Sequence, residues 1–521
     1  MSSTPLLSDL SLSDLRLPAG LAPTPALPPA PAPDPTAIPA NAVVVPVAVP
    51  SAFDRHLLSR FSWGITPALV KESAAAGGAR AWFDRQLDPA ALAAAPPARL
   101  VEWWPHLQWS PAEKFAADQA GVHPGYDQDN DFCRWTLMRR MTSAQQVQEV
   151  MTGVWGNLLY VSLVRKSFPH LPRYDATIRA NALGTYERLL VATVLHPCML
   201  CYLDNAKSTQ KAPNENLGRE LLELHTVGRS AGYTEADVKD STRILTGYRV
   251  DVGASCKAWY GPEDHAVGQV NVLDFHHANA SPDGREVTLE YLSYLARHEA
   301  TAQRVARALA VRFVADAPRT ELVDAVATAY LDSGTDIPTT LRALVDHDDF
   351  AASADRKVRT PIEDFVNTYR TMQVKISPPS ADPSGAATSI LAGCTSMGQR
   401  PLGWPRPDGF PDIGDAWSSA SRMLSSWRVH KNLAGAYYPK VGIEYKPWEY
   451  WLGPLPVRFD DLVDRLCRLL LAKTRTPRLL ATAVAAIDVQ PAEIVNSSHR
   501  AVRRMPLLLD ALFDTPDHMT R

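Results

Sequence analysis

The densest group of polar side chains in the sequence lies between Pro213 and Gly228. On a helix, Asn216, Glu220 and Glu223 are spaced four and three residues apart and therefore share one face. Two carboxylates on one face can coordinate a hard divalent metal ion, or they can divide the roles of general acid and general base. The spacing thus predicts a carboxylate-centred site in which Asn216 orients the substrate.

The same helix also has a purely structural interpretation. Glu220 and Glu223 could pair with Arg219, with Arg243 or with another arginine, because arginine–carboxylate pairing commonly satisfies buried charges. His225 lies off the stripe of the two glutamates, and the Glu-x-x-His pair of di-iron bundles is absent. If the catalytic interpretation holds, Arg219, His225 and Arg243 are candidate binding residues.

A histidine-containing loop could complete the site. Residues 249–284 combine glycines, histidines and short β-branched runs, which predicts an extended loop or small hairpin. If this loop folds over the polar helix, His265 would join Glu220 and Glu223 as catalytic group or metal ligand, a set that suits zinc, manganese or iron. His265, like its loop neighbours His276 and His277, could instead be an ordinary hydrogen-bonding residue.

A proline- and glycine-rich segment further along the chain carries the third candidate group. Its aromatic side chains could form a platform for a sugar or a peptide, or they could anchor the irregular segment to the core. These aromatic residues are Trp404, Phe410 and Trp417. Arg406 and Asp408 lie between them and are candidate binding residues.

Several common catalytic motifs are absent. The sequence has no glycine-rich phosphate loop, no Gly-x-Ser-x-Gly elbow and no His-Glu-x-x-His pair. Its six cysteines form no disulfide framework. Cys198 and Cys201 have redox-motif spacing but lack the βαβ context. Buried structural thiols are therefore expected, with redox or metal chemistry as the alternative.

Composition and charge exclude some partners. A formal net charge of −3 over 521 residues leaves no basic excess to hold a phosphate backbone, so no nucleic-acid partner is expected. No apolar run approaches the roughly 20 residues that span a bilayer, so the chain is expected to be soluble. The start of the chain lacks the pattern of a secretory signal, which predicts the cytoplasm unless a signal-bearing partner exports the protein.

Helical spacing of apolar residues runs through most of the chain and predicts an all-α fold: a large multi-helix body with irregular loop insertions. Prolines make up 12 of the first 50 residues, which predicts a disordered arm over 1–50. Residues 51–376 are predicted to form the main helical domain with the polar helix and the histidine loop. Residues 377–521 are predicted to form a helical subdomain packed on it, after a Ser/Pro-rich linker at 377–384.

Short motifs along the chain after this arm carry a family resemblance. They are His56–Phe61, Val154–Asn157, Arg179–Gly184, His196–Leu200, Tyr202–Asn205, Asn214–Gly228, Tyr233–Glu235, Leu245–Gly247, Tyr294–Ala296, Arg312–Val314, Lys357–Pro361 and Trp404–Gly409. Together they resemble the bacterial domain of unknown function 1800 family, close to its actinobacterial branch. The family's activity is not established. Its members often accompany a protein similar to sulfatases or alkaline phosphatases, so the resemblance implies such a partner.

The chain departs from the family pattern at two places. Many members have Trp-His-x-His where this chain has Trp155–Leu158, and many have His-Asp where this chain has His265 and Ala266. A metal site that depends on those groups lacks its ligands here, whereas Glu220 and Glu223 match the family's polar block.

Two hypotheses for the function follow, and neither is favoured strongly. The first is an enzyme with a carboxylate-centred site, using a divalent metal or acid/base catalysis. The second is a non-catalytic binding or assembly protein that pairs with the sulfatase- or phosphatase-like partner. Carbohydrate binding by the aromatic group is a third hypothesis, and the sequence does not indicate an oligomeric state.

Overall fold

The structure, a computed structural model, describes residues 47–88, 99–164, 166–379 and 385–521. Most of the predicted N-terminal arm, up to residue 46, lies outside the described residues. Most of the predicted linker, residues 380–384, also lies outside them.

The described residues confirm the all-α fold class. The α-helices are α1 (Ala52–Phe61), α2 (Pro67–Ala76), α3 (Ala79–Gln86), α4 (Pro111–Gln119), α5 (Gly125–Thr142), α6 (Gln146–Leu158), α7 (Leu171–Asn181), α8 (Tyr186–Val194), α9 (Pro197–Tyr202), α10 (Glu215–Glu220), α11 (Glu235–Ile244), α12 (Arg285–Arg297), α13 (Glu299–Phe313), α14 (Thr320–Asp332), α15 (Ile337–Asp346), α16 (Asp348–Ala352), α17 (Pro361–Thr371), α18 (Ala386–Ser396), α19 (Ala420–Ala434), α20 (Trp448–Leu452), α21 (Phe459–Leu471), α22 (Pro477–Ile487), α23 (Arg500–Arg503), α24 (Met505–Phe513) and α25 (Pro516–Met519).

The strands are short and occur as antiparallel pairs. They are β1 (Tyr248–Val250) with β2 (Ala258–Tyr260), β3 (Val270–Val272) with β4 (Phe275–His277), β5 (Lys375–Ile376) with β6 (Ile443–Glu444), and β7 (Val457–Arg458) with β8 (Ile494–Val495). The first two pairs lie in the predicted histidine loop, which therefore forms two small hairpins rather than one.

Local capping signals position several helices. Thr66 accepts a hydrogen bond from the main-chain N–H of Leu69 at 3.1 Å, at the start of α2. The capping box at Thr234 is present, with Asp237 bonded back to the main-chain N–H of Thr234 at 2.7 Å. These contacts satisfy N–H groups that a helix leaves without partners at its start.

The periodic run from Asp175 to Leu195 reads as one helix, but the structure divides it into α7 and α8. The break falls at Gly184 and Thr185, and Thr185 caps α8 by accepting from the N–H of Arg188 at 3.2 Å. A side chain that caps a new helix competes with continuation of the old one. The spacing of apolar residues therefore predicts one helix where the structure has two.

The buried apolar side chains form one cluster that extends from Leu57 to Phe513. The end of the chain joins it: the main chain of Arg521 bonds to that of Lys357 in both directions, at 2.9 and 3.3 Å. The buried guanidinium of Arg521 lies 3.1 Å from the Glu363 carboxylate. The division of the chain into domains stays a prediction.

All six cysteines are buried and none forms a disulfide. Burial raises the pKa of the Cys201 thiol to about 12 and that of Cys198 well above its ordinary value, so both stay protonated and weakly nucleophilic. Among the helices in the described ranges, none combines the length and apolar character needed to cross a bilayer.

Candidate functional site

A cavity of about 440 Å³ lies between α5, α6, α7, α13 and the irregular segment 399–412. Its volume falls in the range of small-molecule binding sites. The helices α5, α7 and α13 each contribute one face, with residues three or four apart: Arg304, Arg307, Ala308 and Val311 come from α13. The cavity is therefore a product of helix packing, with the irregular segment as its remaining wall.

The carboxylates of the cavity wall are paired. The buried Glu149 carboxylate lies 2.7 Å from Arg139 and 3.3 Å from Arg179, and Arg179 also contacts Asp175 at 2.8 Å. Because these charges satisfy one another, they stabilise the junction of α5, α6 and α7 and are not open to a ligand.

Other paired charges hold the irregular segment. Asp412 lies 3.4 Å from Arg312 and 3.5 Å from Lys357, and Arg312 lies 2.6 Å from the buried carboxylate of Glu363. Asp408 pairs with Arg406 at 3.1 Å. All four carboxylates that line the cavity thus have a cationic partner.

Three arginines of the cavity wall have no carboxylate within 4.0 Å among the residues that the structure describes. Arg140 stacks on Trp63, with its guanidinium carbon 4.5 Å from the ring centroid. Arg304 donates one hydrogen bond from Nε to the carbonyl of Leu224 at 2.7 Å, and Arg307 is exposed. Burial lowers the pKa of Arg140 and of Arg304, but an arginine stays protonated at neutral pH. The wall therefore carries surplus positive charge.

Asn157 fastens the irregular segment to the end of α6. Its carboxamide accepts a hydrogen bond from the N–H of Phe410 and donates one to the carbonyl of Phe410, both at 2.8 Å. Gly409 has φ +74°, and a Cβ there would lie 2.3 Å from the carbonyl oxygen of Asn157. Only glycine fits this turn without displacing the segment.

The aromatic group makes anchoring contacts. Trp417 is buried and donates from its indole nitrogen to the carbonyl of Pro411 at 2.9 Å. Tyr160 accepts from the main-chain N–H of Trp404 at 2.7 Å, while the Trp404 indole donates to Asp408 at 2.8 Å. A sugar platform would need exposed ring faces, which the buried Trp417 does not offer. Arg406 covers Trp404 at 5.3 Å.

The predicted polar helix changes its winding midway. α10 ends at Glu220 and continues as a π-helical turn, Leu221–His225. Side chains from elsewhere in the fold bond to carbonyls of this turn, Arg304 to that of Leu224 at 2.7 Å and Tyr186 to that of His225 at 2.5 Å. The hydroxyl of Thr226, which follows the turn, bonds to the carbonyl of Leu221 at 2.6 Å. Single π-helical turns frequently occur at functional sites.

The structure brings Glu220 and Glu223 together on this turn. Burial and the nearby Glu223 raise the pKa of Glu220, and Asp408 of the cavity wall adds to this shift. Glu223 pairs with Arg229 at 2.8 Å. Within the described ranges, no hydrogen bond or ion pair involves the carboxylate of Glu220. Glu220 is therefore a half-buried carboxylate without a partner among the described residues, and Asp408 of the cavity wall acts on it electrostatically.

The arginines expected to neutralise these carboxylates lie elsewhere. Arg219 pairs with Glu215 at 3.1 Å and with Glu235 at 2.7 Å. Arg243 pairs with Asp240 at 3.0 Å and donates to carbonyls of the histidine loop. Both therefore hold neighbouring elements, and Arg229 takes the role of partner to Glu223. Asn216 is half-buried at the start of α10, where its N–H bonds to the Asn214 cap.

His265 does not join the carboxylates. It is buried, with Nε2 bonded to Asn279 at 2.8 Å and Nδ1 facing Thr246. A Cβ on Gly284 would lie 2.1 Å from its ring, so the loop closes tightly over it. Its partners are loop residues because the hairpins pack as a unit, and the predicted Glu220–Glu223–His265 metal site is not assembled.

His225 belongs to the core. It is buried, and Nδ1 contacts the carbonyl of Leu158 at 3.1 Å. Burial lowers its pKa to about 4, so the ring is neutral at neutral pH. His225 thereby ties the π turn to the end of α6. Gly156 and Leu158, in the last turn of α6, line the cavity.

Two groups of possible metal ligands have their ligand atoms within 4.8 Å of one another in the described part of the chain: His106–His123–Asp131 and Asp364–His430–His518. In the second, His430 contacts Asp364 at 3.0 Å and Asp514 at 2.7 Å. Its nitrogens are therefore occupied, and it is a buried charge network. Neither group was predicted from the sequence, because its members do not have the spacing of a known ligand motif. Among the cavity arginines, Arg304 and Arg307 lie three residues apart on one helix, and this was a local signal.

Comparison with known proteins gives one match. A family model described as "Protein of unknown function (DUF1800)" matches residues 56–520. No curated protein matches the chain, and no solved structure does.

Proposed function

The chain belongs to the DUF1800 family of proteins of unknown function, and we propose that it binds a small organic anion in the arginine-lined cavity. The ligand carries a carboxylate, phosphate or sulfate group on an apolar body. The charge and shape of the cavity support this proposal, since the family offers no activity from which to argue.

The charge balance of the wall carries the proposal. Its carboxylates are all paired, whereas Arg140, Arg304 and Arg307 have no carboxylate partner in the described residues. A cation that is desolvated without a counter-ion costs free energy. An anion that enters the cavity would recover that free energy, and guanidinium groups bind oxyanions with two parallel hydrogen bonds.

The remaining wall suits an apolar ligand body. Apolar and aromatic side chains from three helices and from the loop after α6 face the cavity; they are Phe132, Val154, Tyr160, Leu171, Tyr174 and Ile178. A site lined by apolar groups with a few polar anchors is the usual form of a small-molecule pocket.

The test is a thermal-shift panel. Aromatic and aliphatic carboxylates, phosphate monoesters and sulfate esters are compared with neutral compounds of the same shape. A ligand at 100 times its Kd stabilises the folded state by about 2.7 kcal/mol, so Tm should rise by about 1–3 °C. The best compound is then measured by calorimetry against Arg140→Gln and Arg307→Gln.

Each substitution should weaken binding by about 10-fold or more, the effect of losing a hydrogen bond to a charged group. Arg188→Gln is the matched control, because Arg188 is exposed and lies outside the cavity wall. Equal affinity in all the arginine variants, or equal shifts from neutral analogues, would refute the proposal.

Acid/base catalysis by Glu220 is the second candidate. It is favoured by a half-buried carboxylate with a raised pKa and no partner in the described ranges, within electrostatic range of Asp408 at the cavity. A raised pKa brings a carboxyl group closer to the range in which general acids and bases are most effective. Asn216 would then orient the substrate, as the sequence predicts.

Glu220→Gln tests this role because it keeps the shape and removes the titration. The variant should bind the anion as the wild type does but lose turnover of it. Glu215→Gln is the control, since Glu215 pairs with Arg219 on the surface. Equal turnover by the wild type and Glu220→Gln would exclude the acid/base role.

A sulfatase- or phosphatase-like partner and carbohydrate binding stay predictions. Co-purification of tagged protein with that partner at micromolar concentrations tests the assembly hypothesis. A glycan array tests the carbohydrate hypothesis.

A further inference from the structure

Two imidazoles and a carboxylate meet where α5 begins. His106 lies in the 3-10 turn Pro105–Gln108, His123 in the loop before α5, and Asp131 on α5 itself. Nε2 of His106 lies 3.5 Å from Oδ2 of Asp131, and Nε2 of His123 lies 3.6 Å from the same oxygen. The two rings are 4.2 Å apart between centroids.

The second feature of this cluster is the state of the two imidazole nitrogens that face Asp131. Both Nε2 atoms are shielded from solvent, and neither has a hydrogen-bond partner among the residues that the structure describes. Buried side-chain nitrogens usually have a partner, and each exception calls for an explanation such as an ion. A neutral imidazole nitrogen without a hydrogen-bond partner can offer its lone pair to a metal ion.

The separations match those of ligands around one ion. Zinc binds imidazole nitrogen and carboxylate oxygen at about 2.0–2.2 Å in tetrahedral geometry, which places neighbouring ligand atoms about 3.3–3.5 Å apart. The observed distances of 3.5 and 3.6 Å are too long for hydrogen bonds and close to this spacing.

We propose that His106, His123 and Asp131 form a binding site for a divalent transition-metal ion of the zinc or iron type. Two imidazoles with one carboxylate favour these metals and leave a coordination position for water or a ligand. The site is independent of the arginine-lined cavity, because none of its three residues lines that cavity.

The surroundings orient the ligands. Arg134 holds Oδ1 of Asp131 at 2.6 Å, which turns Oδ2 toward the imidazoles. Lys114 donates to the carbonyl of His106 at 2.5 Å and fixes the turn that carries this ring. In metal sites, hydrogen bonds of this kind orient the residues that coordinate the ion.

The experiment uses the full chain, stripped with a chelator and titrated with Zn²⁺ and with Co²⁺. We expect one equivalent of tightly bound metal and the visible absorption of Co²⁺ with nitrogen and oxygen ligands. His123→Gln and Asp131→Asn should each weaken metal binding by at least about 10-fold, because even the loss of a residue that only hydrogen-bonds to a metal ligand lowers the affinity by that much.

His276→Gln is the matched control, because His276 is an exposed histidine bonded to Asn271. The second ligand group, around His430, is intact in all these variants, so binding there would persist in His123→Gln. Undiminished zinc affinity in His123→Gln, or less than about a tenth of an equivalent bound by the wild type at micromolar Zn²⁺, would overturn the proposal.

A measurement on the wild type covers the case in which the variants do not fold. Diethylpyrocarbonate modifies neutral imidazoles, and peptide mass spectrometry locates the modified residues. Zinc should protect His123, whose side chain is 25% exposed, and leave His276 reactive. Equal modification of His123 with and without zinc would refute the site.

Discussion

The carboxamide of Asn157 pairs with the main chain of Phe410 through two hydrogen bonds of 2.8 Å. This pair joins the last turn of α6 to the irregular segment and so closes one side of the arginine-lined cavity. The shape of the cavity depends on this contact, and it can be tested through the glycine beside it.

Gly409→Ala should destabilise the protein by about 3 kcal/mol or more. The added Cβ meets the Asn157 carbonyl at 2.3 Å in a turn with φ +74°, so it adds a steric clash to backbone strain. Gly232→Ala is the matched control: it has φ +76° but open space around its Cβ, and should cost only about 1 kcal/mol. Urea unfolding of both variants measures the difference; equal losses would contradict the close approach.

Gly156→Trp should block anion binding by filling the cavity. A Cβ at Gly156 would meet only Cδ1 of Ile178, at 4.0 Å, so a side chain can enter the cavity without displacing the main chain. Gly156→Ala is the control, because one methyl group leaves most of the volume free and raises stability by up to about 1 kcal/mol through helix propensity. Calorimetry with the best anion should show binding to the alanine variant alone. Binding to both would place the anion elsewhere.

Stability should fall as the pH rises from about 6.5 to 9 because of His430. Burial opposes its charge, but Asp364 and Asp514 outweigh this and raise its pKa to about 9. A raised pKa adds stability that is complete below pH 6.5 and is lost through pH 9, on the order of 3 kcal/mol. Asp514→Asn should move this loss to lower pH in urea unfolding at pH 6–9. An unchanged profile would show that His430 is not charged in the folded protein.

His196→Asn should make the protein less sensitive to acid. Burial, then His170 and Arg173, lower the pKa of His196 to about 3. A depressed histidine pKa removes stability as the pH falls below 6.5, because the unfolded chain binds the proton first. Asparagine can still cap α9, where Nδ1 accepts from Cys198 at 3.1 Å. Between pH 6.5 and 4 the free energy of unfolding of His196→Asn should fall by on the order of 1 kcal/mol less than that of the wild type, allowing for the partial exposure of His196. The control, His276→Gln, should lose as much stability as the wild type.

Thr226→Val should destabilise the π turn that carries Glu223. The hydroxyl of Thr226 donates to the carbonyl of Leu221 at 2.6 Å in a buried site, and valine removes this hydrogen bond at a cost of about 1 kcal/mol. Thr482→Val is the control, since Thr482 makes a similar bond on an exposed helix and should change stability by less than about 0.5 kcal/mol. Hydrogen exchange at Leu221–His225 should increase in Thr226→Val only.

Local signals in the sequence were sufficient to predict that the chain folds into helices. The period of apolar residues predicted the all-α fold that the structure contains, and the caps at Thr66 and Thr234 lie next to the helix starts that they stabilise. Such signals act within about four residues, so each helix reveals itself in its own sequence. The proximity of Glu220 and Glu223 was predictable for the same reason.

Long-range packing decided the sites. His265 bonds to Thr246 and Asn279 because the two hairpins of its loop pack as a unit. Arg140 and Arg304 line the same cavity because helices far apart in sequence pack against one another. Tertiary packing also forms the wall of the cavity and places His106 next to Asp131. A side chain's period shows which face it occupies, but not which distant residue that face will meet, since that depends on the packing of the whole core.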